Sequence, residues 1–294
     1  MKFLRNYALI VIFFPDQGKL GKLIDSLRGQ VLKVILLNNG VPDGFDWGQY
    51  QDVEVLHMGG NLGIGAALNK GFSFLKSLKP EFVATFDQDS LAAEGQIATL
   101  IEAWDAIPEG PKRKGAIGPA FYDVRKNLTF NYPFFRSYGL AIQRIYDEGQ
   151  GVVEVDALIT SGMMVPYYLY EEGHYFNEPL FIEFVDTEWC FRTLKQGFQH
   201  FGCFSVKMKH ELSDDAPKKI FGVFLLKYSP FRRYYYFRNV VSMAISGVTP
   251  LAYKMRFMVG GGVKFISIFF IDERPLVSAK MAIKGMFNGL GLKR

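Results

Sequence analysis

The sequence predicts an α/β fold with a mostly parallel central sheet flanked by helices, and three observations carry that prediction. Short, near-continuously apolar runs recur at Tyr7–Phe14, Val31–Leu37, Val53–His57 and Phe82–Phe86, the pattern of strands buried on both faces. Stretches of helical periodicity separate the first run from the second and the third from the fourth, giving a βαβαβ order. The bulk composition, 49% hydrophobic and 21% charged over 294 residues, is that of a folded globular chain and excludes disorder.

Each element has a local reason. The first strand ends at Pro15-Asp16, and Leu20, Leu23, Ile24 and Leu27 then recur at the spacing of one helix face. Asn38-Asn39-Gly40 closes the second strand as a turn. After the third strand comes Gly59-Gly60-Asn61-Leu62-Gly63-Ile64-Gly65-Ala66-Ala67-Leu68-Asn69-Lys70-Gly71, whose glycines permit close backbone approach. Its Ala-rich continuation reads as a helix to about Leu78 whose N-terminus can face phosphate or ribose. The spacing is not the dinucleotide fingerprint, since the third glycine is out of place. Gln96–Ile107 reads as an amphipathic helix, Gly115–Phe121 as a strand, and residues 122–150 as irregular. Val152–Thr160 reads as a strand leading into Ser161-Gly162, Tyr167–Gly173 as a short helix, and Gly202–Lys209 as a strand ending at His210.

Net charge is +5 with pI near 9.0, so anionic partners fit: nucleotides, lipid headgroups or nucleic acid. Cys190 and Cys203 lack metal spacing and suit small buried side chains in a reducing compartment. The N-terminal apolar run is broken by Pro15-Asp16 with no small-residue cleavage site after it, so it reads as a strand rather than a leader. No stretch reaches the roughly 20 apolar residues of a membrane span. The expectation is a cytoplasmic protein, peripheral to a membrane.

Two centres could carry chemistry. Phe82-Val83-Ala84-Thr85-Phe86-Asp87-Gln88-Asp89-Ser90 runs a buried strand into two carboxylates one residue apart. Open α/β sheets bind ligands beyond the carboxyl ends of strands, and paired acids there suit a divalent cation carrying phosphate. A polar turn would give the same string. The second centre is Phe184-Val185-Asp186-Thr187-Glu188-Trp189-Cys190-Phe191-Arg192, with Asp186 at a helix N-terminus. Glu188 and Arg192, one turn apart, read as a surface ion pair. His210, at a strand end, is a candidate contact for metal or phosphate, whereas His57, His174 and His200 read as structural. Further on, Ser229-Pro230-Phe231-Arg232-Arg233-Tyr234-Tyr235-Tyr236-Phe237-Arg238-Asn239 interleaves cations with aromatics. That pattern fits a nucleic-acid stacking surface, or a helix that turns its aromatics inward and leaves arginines for pyrophosphate. The tail from Lys254 alternates apolar clusters with Lys and Arg, as in a segment lying on a membrane or a helix packed on the core.

Taken together, NNG, NLGIGAALNKG, FDQDS, the ITSG turn, FVDTEWCFR, His210, SPFRRYYYFRN and the closing KGMFNGLGLKR resemble the rhamnosyltransferase-like branch of the family-two glycosyltransferases. The resemblance implies a GT-A nucleotide-sugar-binding fold over residues 1–220, with a donor half at 1–120 and an acceptor half at 121–220. Residues 221–294 then form a helical, basic and aromatic extension. It also implies Asp186 as general base, Mg²⁺ or Mn²⁺ held by Asp89 and His210, and Asp87 on the ribose. Donor contacts would come from Pro15, Asn38, Asn61, Gly63, Asn69, Asp87, Gln88, Arg232 and Arg233. Acceptor contacts would come from Ser161, Gly162, Glu188 and Trp189. Val185 replaces the first acid of the usual Glu-Asp pair, and Asn38 replaces a common Asp at the base contact. The implied reaction moves L-rhamnose from dTDP-L-rhamnose, with inversion, onto a polyprenyl-diphosphate-linked glycan at the inner membrane face, for O-antigen or another bacterial surface polysaccharide. Other donors of the same class, UDP-hexose or UDP-galactofuranose, remain alternatives, as does a nucleic-acid-binding protein using the Arg/Tyr segment.

Overall fold

A computed structural model describes residues 5–125, 128–209, 218–220, 223–225 and 227–292. The first strand, β1 (Asn6–Ile12), is buried throughout. Helix α1 (Gln17–Leu27) is capped by Asp16, whose Oδ1 accepts from the Lys19 amide at 2.8 Å, and it buries the expected Leu20, Leu23, Ile24 and Leu27. Then follow β2 (Lys33–Asn38), β3 (Glu54–His57), α2 (Ile64–Phe74), β4 (Phe82–Asp87) and α3 (Gln96–Ala106). The middle of the chain supplies β5 (Arg113–Arg125), β6 (Leu128–Asn131), β7 (Phe134–Tyr138), β8 (Ala141–Ile145), β9 (Val152–Val155) and β10 (Met163–Pro166). After them come α4 (Tyr168–Glu171), α5 (Val185–Lys195) and β11 (Phe198–Lys209), a short pairing of Lys218–Ile220 with Val223–Leu225, and three helices. These are α6 (Pro230–Ile245), α7 (Leu251–Ile271) and α8 (Pro275–Leu290).

The main sheet runs β3-β2-β1-β4-β10-β5-β11-β9, with β6 on the edge of β5. Parallel pairing links β3, β2, β1 and β4, and again β5 and β11, while β10, β9 and β6 run against them. Side chains alternate across β1 as the pleat requires. Leu9 and Val11 enter a core with Phe72 and Trp189, while Ala8, Ile10 and Ile12 enter one with Leu23 and Ile97. Both faces are therefore covered, and the open edge is the one formed by strand ends.

Two expectations about the middle of the chain need correction. Residues 122–150 are not irregular throughout: β7 and β8 pair as a hairpin, and β6 extends β5. The strand expected at Val152–Thr160 stops at Val155, and the ITSG turn leads into β10, which inserts antiparallel between β4 and β5. The Gly162 amide donates to Thr85 O at 2.8 Å, and the Thr85 hydroxyl donates to Thr160 O at 2.6 Å. Those two bonds fix where β10 begins.

The C-terminal helices are locked together by backbone approach and one ion pair. Gly285 and Gly289 of α8 lie against the carbonyl oxygens of Tyr234 and Arg238, where any Cβ would collide. Arg233 and Asp272, 0% and 1% exposed, join α6 to the end of α7 through bonds of 2.9 and 2.7 Å. Asn239 Nδ2 donates to the carbonyls of Leu180, Ile182 and Glu183, and Arg238 Nη2 to those of Pro179 and Leu180. The tail thus packs on the rest of the chain through α6, yet α7 leaves Met258, Val259, Ile266 and Phe270 exposed. Among the described residues no helix is long and apolar enough to cross a membrane.

Candidate active site

The carboxyl ends of β1, β2 and β4 open on a hollow of about 760 Å³, walled on its far side by α5, α6 and α7. Asp87, Asp89 and Asp186 all line it. Asp87 is the last residue of β4, so the strand itself aims the carboxylate past the sheet edge. Burial, reinforced by the charges of Asp89 and Asp186, pushes the Asp87 carboxyl up to about 7, with Arg232 and the Ser161 hydroxyl opposing. Asp87 is therefore close enough to Asp89 and Asp186 to feel both charges, with Arg232 the cation that opposes them.

Asp186 occupies the first turn of α5. Its Oδ1 accepts from the Thr187 amide at 2.6 Å and the Thr187 hydroxyl at 3.2 Å, and its Oδ2 from the Thr160 amide at 3.1 Å. Burial pulls its pKa up, those donors hold it down, and Glu183 adds a smaller upward push. Thr160 and Ser161 act as a two-residue spacer. The Thr160 amide holds Asp186, while Ser161 Oγ accepts from the Asp87 amide at 3.1 Å. Both acids are thereby referenced to the turn that enters β10.

Between them lies a strained segment. Phe181, Glu183 and Phe184 hold φ of 64°, 61° and 65°, a region costly for side chains other than glycine. The carbonyls fastened by Asn239 and Arg238 hold it there, together with the Ile64 amide, which donates to Phe181 O at 2.6 Å. The strain points Glu183 into the hollow, where its carboxylate meets Arg232 Nε at 2.5 Å.

Of the residues expected at the site, Asn61, Gly63, Asp87, Gln88, Asp89, Asp186 and Arg232 line the hollow. Gln88 contributes mainly by bracing: its amide exchanges two bonds with the Phe13 backbone, at 2.7 and 3.0 Å. The others lie elsewhere. Asn38 turns away and meets His57 at 2.9 Å; Asn39, one residue on, faces the hollow and bonds Asn61 at 2.9 Å. Pro15 lies beyond the lining, and Asn69 ties α2 to Phe176 and Glu178. Arg233 is committed to Asp272. Ser161 and Gly162 sit behind Asp87, not on the wall. Glu188 pairs with Arg192 at 3.0 Å, and Trp189 is a core residue whose Nε1 donates to His174 O at 2.7 Å. His210 lies outside the described residues.

At the start of α2 the Ile64 amide is taken by Phe181 O, and just before the helix Gly63 donates to Asn61 and Leu62 to Asn39. Nor is the Arg/Tyr segment a surface strip for nucleic acid, since Arg233 and Arg238 are buried and bonded inward. The residues missed from sequence were Asn39, Thr160, Glu183, Arg256 and Lys264. Glu183 had a signal, an acid three positions before Asp186. Arg256 and Lys264 had none, being about 70 residues or more further along the chain.

An α/β sheet with helices on both faces, ending in clustered acids faced by cations, is the layout of an enzyme that handles phosphorylated substrates at a strand-end crevice. Comparisons with known proteins make that class specific. Residues 8–138 match the family described as Glycosyl transferase family 2. Over 287 residues, 97% of this chain and 95% of the relative, the sequence is 31% identical to the dTDP-rhamnosyl transferase RfbF of Shigella flexneri. It is 21% identical to the low-salt glycan biosynthesis hexosyltransferase Agl10 of Haloferax volcanii, over 73% of this chain and 70% of that one. Among solved structures, GalNAc-T7 with UDP, GalNAc and Mn²⁺ superposes with a TM-score of 0.58 at 12% identity, covering 88% of this chain and 54% of that one. TarS of S. aureus does so at 0.50 and 12%, covering 90% and 44%. The chain spans about half the length of those two structures, and the likeness to them is one of fold. The chain belongs to the family-two glycosyltransferases and is similar, within them, to rhamnosyl transferases.

Proposed function

We propose that the protein transfers L-rhamnose from dTDP-L-rhamnose to a hydroxyl of a lipid-linked or growing surface glycan, with inversion, at the inner face of a bacterial membrane. The single observation that carries the mechanism is the convergence of Asp87, Asp89 and Asp186 on one hollow, with Asp87 pushed up to about 7 by burial and by the other two acids. The likeness to a dTDP-rhamnosyl transferase over nearly the whole chain supports the donor.

In this reading Asp87 holds the donor ribose, Asp89 faces the diphosphate, and Asn39 and Asn61 flank the nucleotide from the ends of the strands. Residues 1–120 serve the donor, 121–220 the acceptor, and 221–294 close the far wall. The acids fit a divalent cation, since they are hard oxygen ligands gathered on one hollow. Among the described residues no three His, Cys, Asp or Glu converge as a ready-made cage. Mg²⁺ and Mn²⁺ do not need one, because they keep waters and bind largely through substrate phosphate. Asp89, with Asp87 beside it, would hold the ion, which supplies Lewis-acid neutralisation of the departing diphosphate.

Asp186 receives the proton of the acceptor hydroxyl. The Thr160 and Thr187 amides orient its carboxylate, and burial makes it a better base than an exposed aspartate. Arg232, held by Glu183, faces the charge that develops on the leaving oxygens. With Asp186 as the base, Asp87 and Asp89 given to donor and metal, and Glu183 paired with Arg232, this reading leaves a single displacement and an inverted anomeric centre. The test is turnover with dTDP-L-rhamnose against UDP-sugars, reading the product's anomeric configuration. A retained configuration, or turnover with UDP-sugars alone, overturns the assignment.

A further inference from the structure

Part of the helical wall of the hollow belongs to α7. Arg256, Gly260 and Lys264 recur every four residues and line the hollow together. Helical rise sets about 12 Å between the first and the last. Gly260 leaves the middle of that strip open, for a Cβ there would meet nothing within 4 Å. The Lys264 ammonium lies 3.9 Å from the centre of the Tyr236 ring, and the Arg256 guanidinium 5.0 Å from that of Phe135. Neither makes an ion pair with a described carboxylate, and Glu183, the acid on the Lys264 side, is already engaged by Arg232. Burial brings the Lys264 ammonium down to about 8; Glu183 opposes the shift, and Arg233 and Arg232 add to it. Two cations and a gap between them form a strip for an elongated anion. On its outer side α7 exposes Met258, Val259, Ile266 and Phe270, an apolar surface next to that strip. The ligand that answers both features is an amphiphile with a charged linkage.

We propose that Arg256, Gly260 and Lys264 form an acceptor strip that binds the diphosphate of a lipid-linked acceptor, with the hydrocarbon chain leaving over the apolar side of α7. The assignment rests on the glycosyl-transfer reading above. The donor's diphosphate is served by Asp89 beyond β4 and by Arg232 on α6, so the acceptor strip is set apart from it by lying on α7.

The experiment measures calorimetric binding of farnesyl diphosphate and of farnesol to the full chain, in saturating dTDP and Mn²⁺. The strip predicts that farnesyl diphosphate binds at least about tenfold tighter than farnesol. Lys264→Met and Arg256→Met, which keep the aliphatic stems, each weaken it by about tenfold, and Lys264→Arg restores it. Gly260→Met blocks the strip without lowering the melting temperature. The dTDP affinity stays within about twofold in every variant. Farnesyl diphosphate binding that is absent, displaced by dTDP, or equal in all variants overturns the strip while leaving the transferase reading intact. Failure of dTDP to bind the unaltered chain with Mn²⁺ would instead remove the reading beneath it.

Discussion

Asp87 and Asp186 share a hollow but are held differently, and the bonds each receives suggest different work. Asp186 accepts two backbone amides, which fix the direction of its free lone pairs; Asp87 is buried beside two other acids, with Arg232 opposing them. Ser161 stands behind Asp87, so Ser161→Ala should leave the Asp87 amide without its acceptor. The expected cost is about 1–3 kcal/mol of stability with weaker donor binding, read by urea unfolding and dTDP titration. Away from the site, His200 is fully buried; its Nδ1 accepts from the Ala116 amide at 3.0 Å, and its Nε2 meets Thr193 and the Cys190 carbonyl. Burial lowers its pKa from 6.5 to about 4, so the folded state favours the neutral ring. The unfolded chain binds the extra proton between those values, so stability is complete above 6.5 and lost as pH falls towards 4. His200 should therefore contribute about 2 kcal/mol less stability at pH 5 than at pH 7.5, read as the difference in pH dependence of unfolding between the unaltered chain and His200→Gln, because the raised Asp87 carboxyl acts in the opposite direction over the same range.

At the scale of elements, the segment 179–183 is the joint between the sheet and the C-terminal helices. Arg238 and Asn239 bind its carbonyls, and Arg233 ties the same helix to Asp272. Asp272→Ala should strand a buried guanidinium and cost about 3–5 kcal/mol, whereas the double change Arg233→Met, Asp272→Leu should recover most of it in chemical denaturation. How far such elements can be read from sequence depends on how local their cause is. β1, β4 and α1 were legible because apolar runs and an i, i+3, i+4 stripe carry their own burial. β10 was not, since the four residues Met163–Pro166 are too few to show a period, and its placement depends on Thr85 across the sheet. Among adjacent residues the sequence could not choose. Asn38 and Asn39 differ by one position and therefore by face, and Arg232 and Arg233 are sorted by Glu183 and by Asp272, the latter 39 residues further on from Arg233. The two acid centres were legible because each sits where an element begins or ends. The cations of α7 were not, because nothing near them in sequence says which wall they face.

On the scale of the whole molecule, the donor end of the hollow is built from strand ends and the far wall from helices whose outer surface is apolar. With a net charge of +5 and exposed Phe269, Phe270, Leu276 and Phe287, this surface suits an anionic bilayer. Sedimentation with vesicles should show binding that rises with anionic lipid and falls when Phe270 and Phe287 are both changed to Ser; equal binding to neutral vesicles would argue against it. The central claim is that one hollow joins a donor-holding acid to a proton-accepting acid. It is tested most directly by titrating dTDP, with and without Mn²⁺, into the unaltered chain, Asp89→Asn and Asp186→Asn, and assaying rhamnosyl transfer by the same three. The account predicts that Asp89→Asn loses the Mn²⁺-dependent part of binding together with turnover. Asp186→Asn should keep binding within about twofold and lose turnover by about 10²–10⁴-fold. Undiminished transfer by Asp186→Asn, or equal loss of nucleotide binding in both variants, would contradict it.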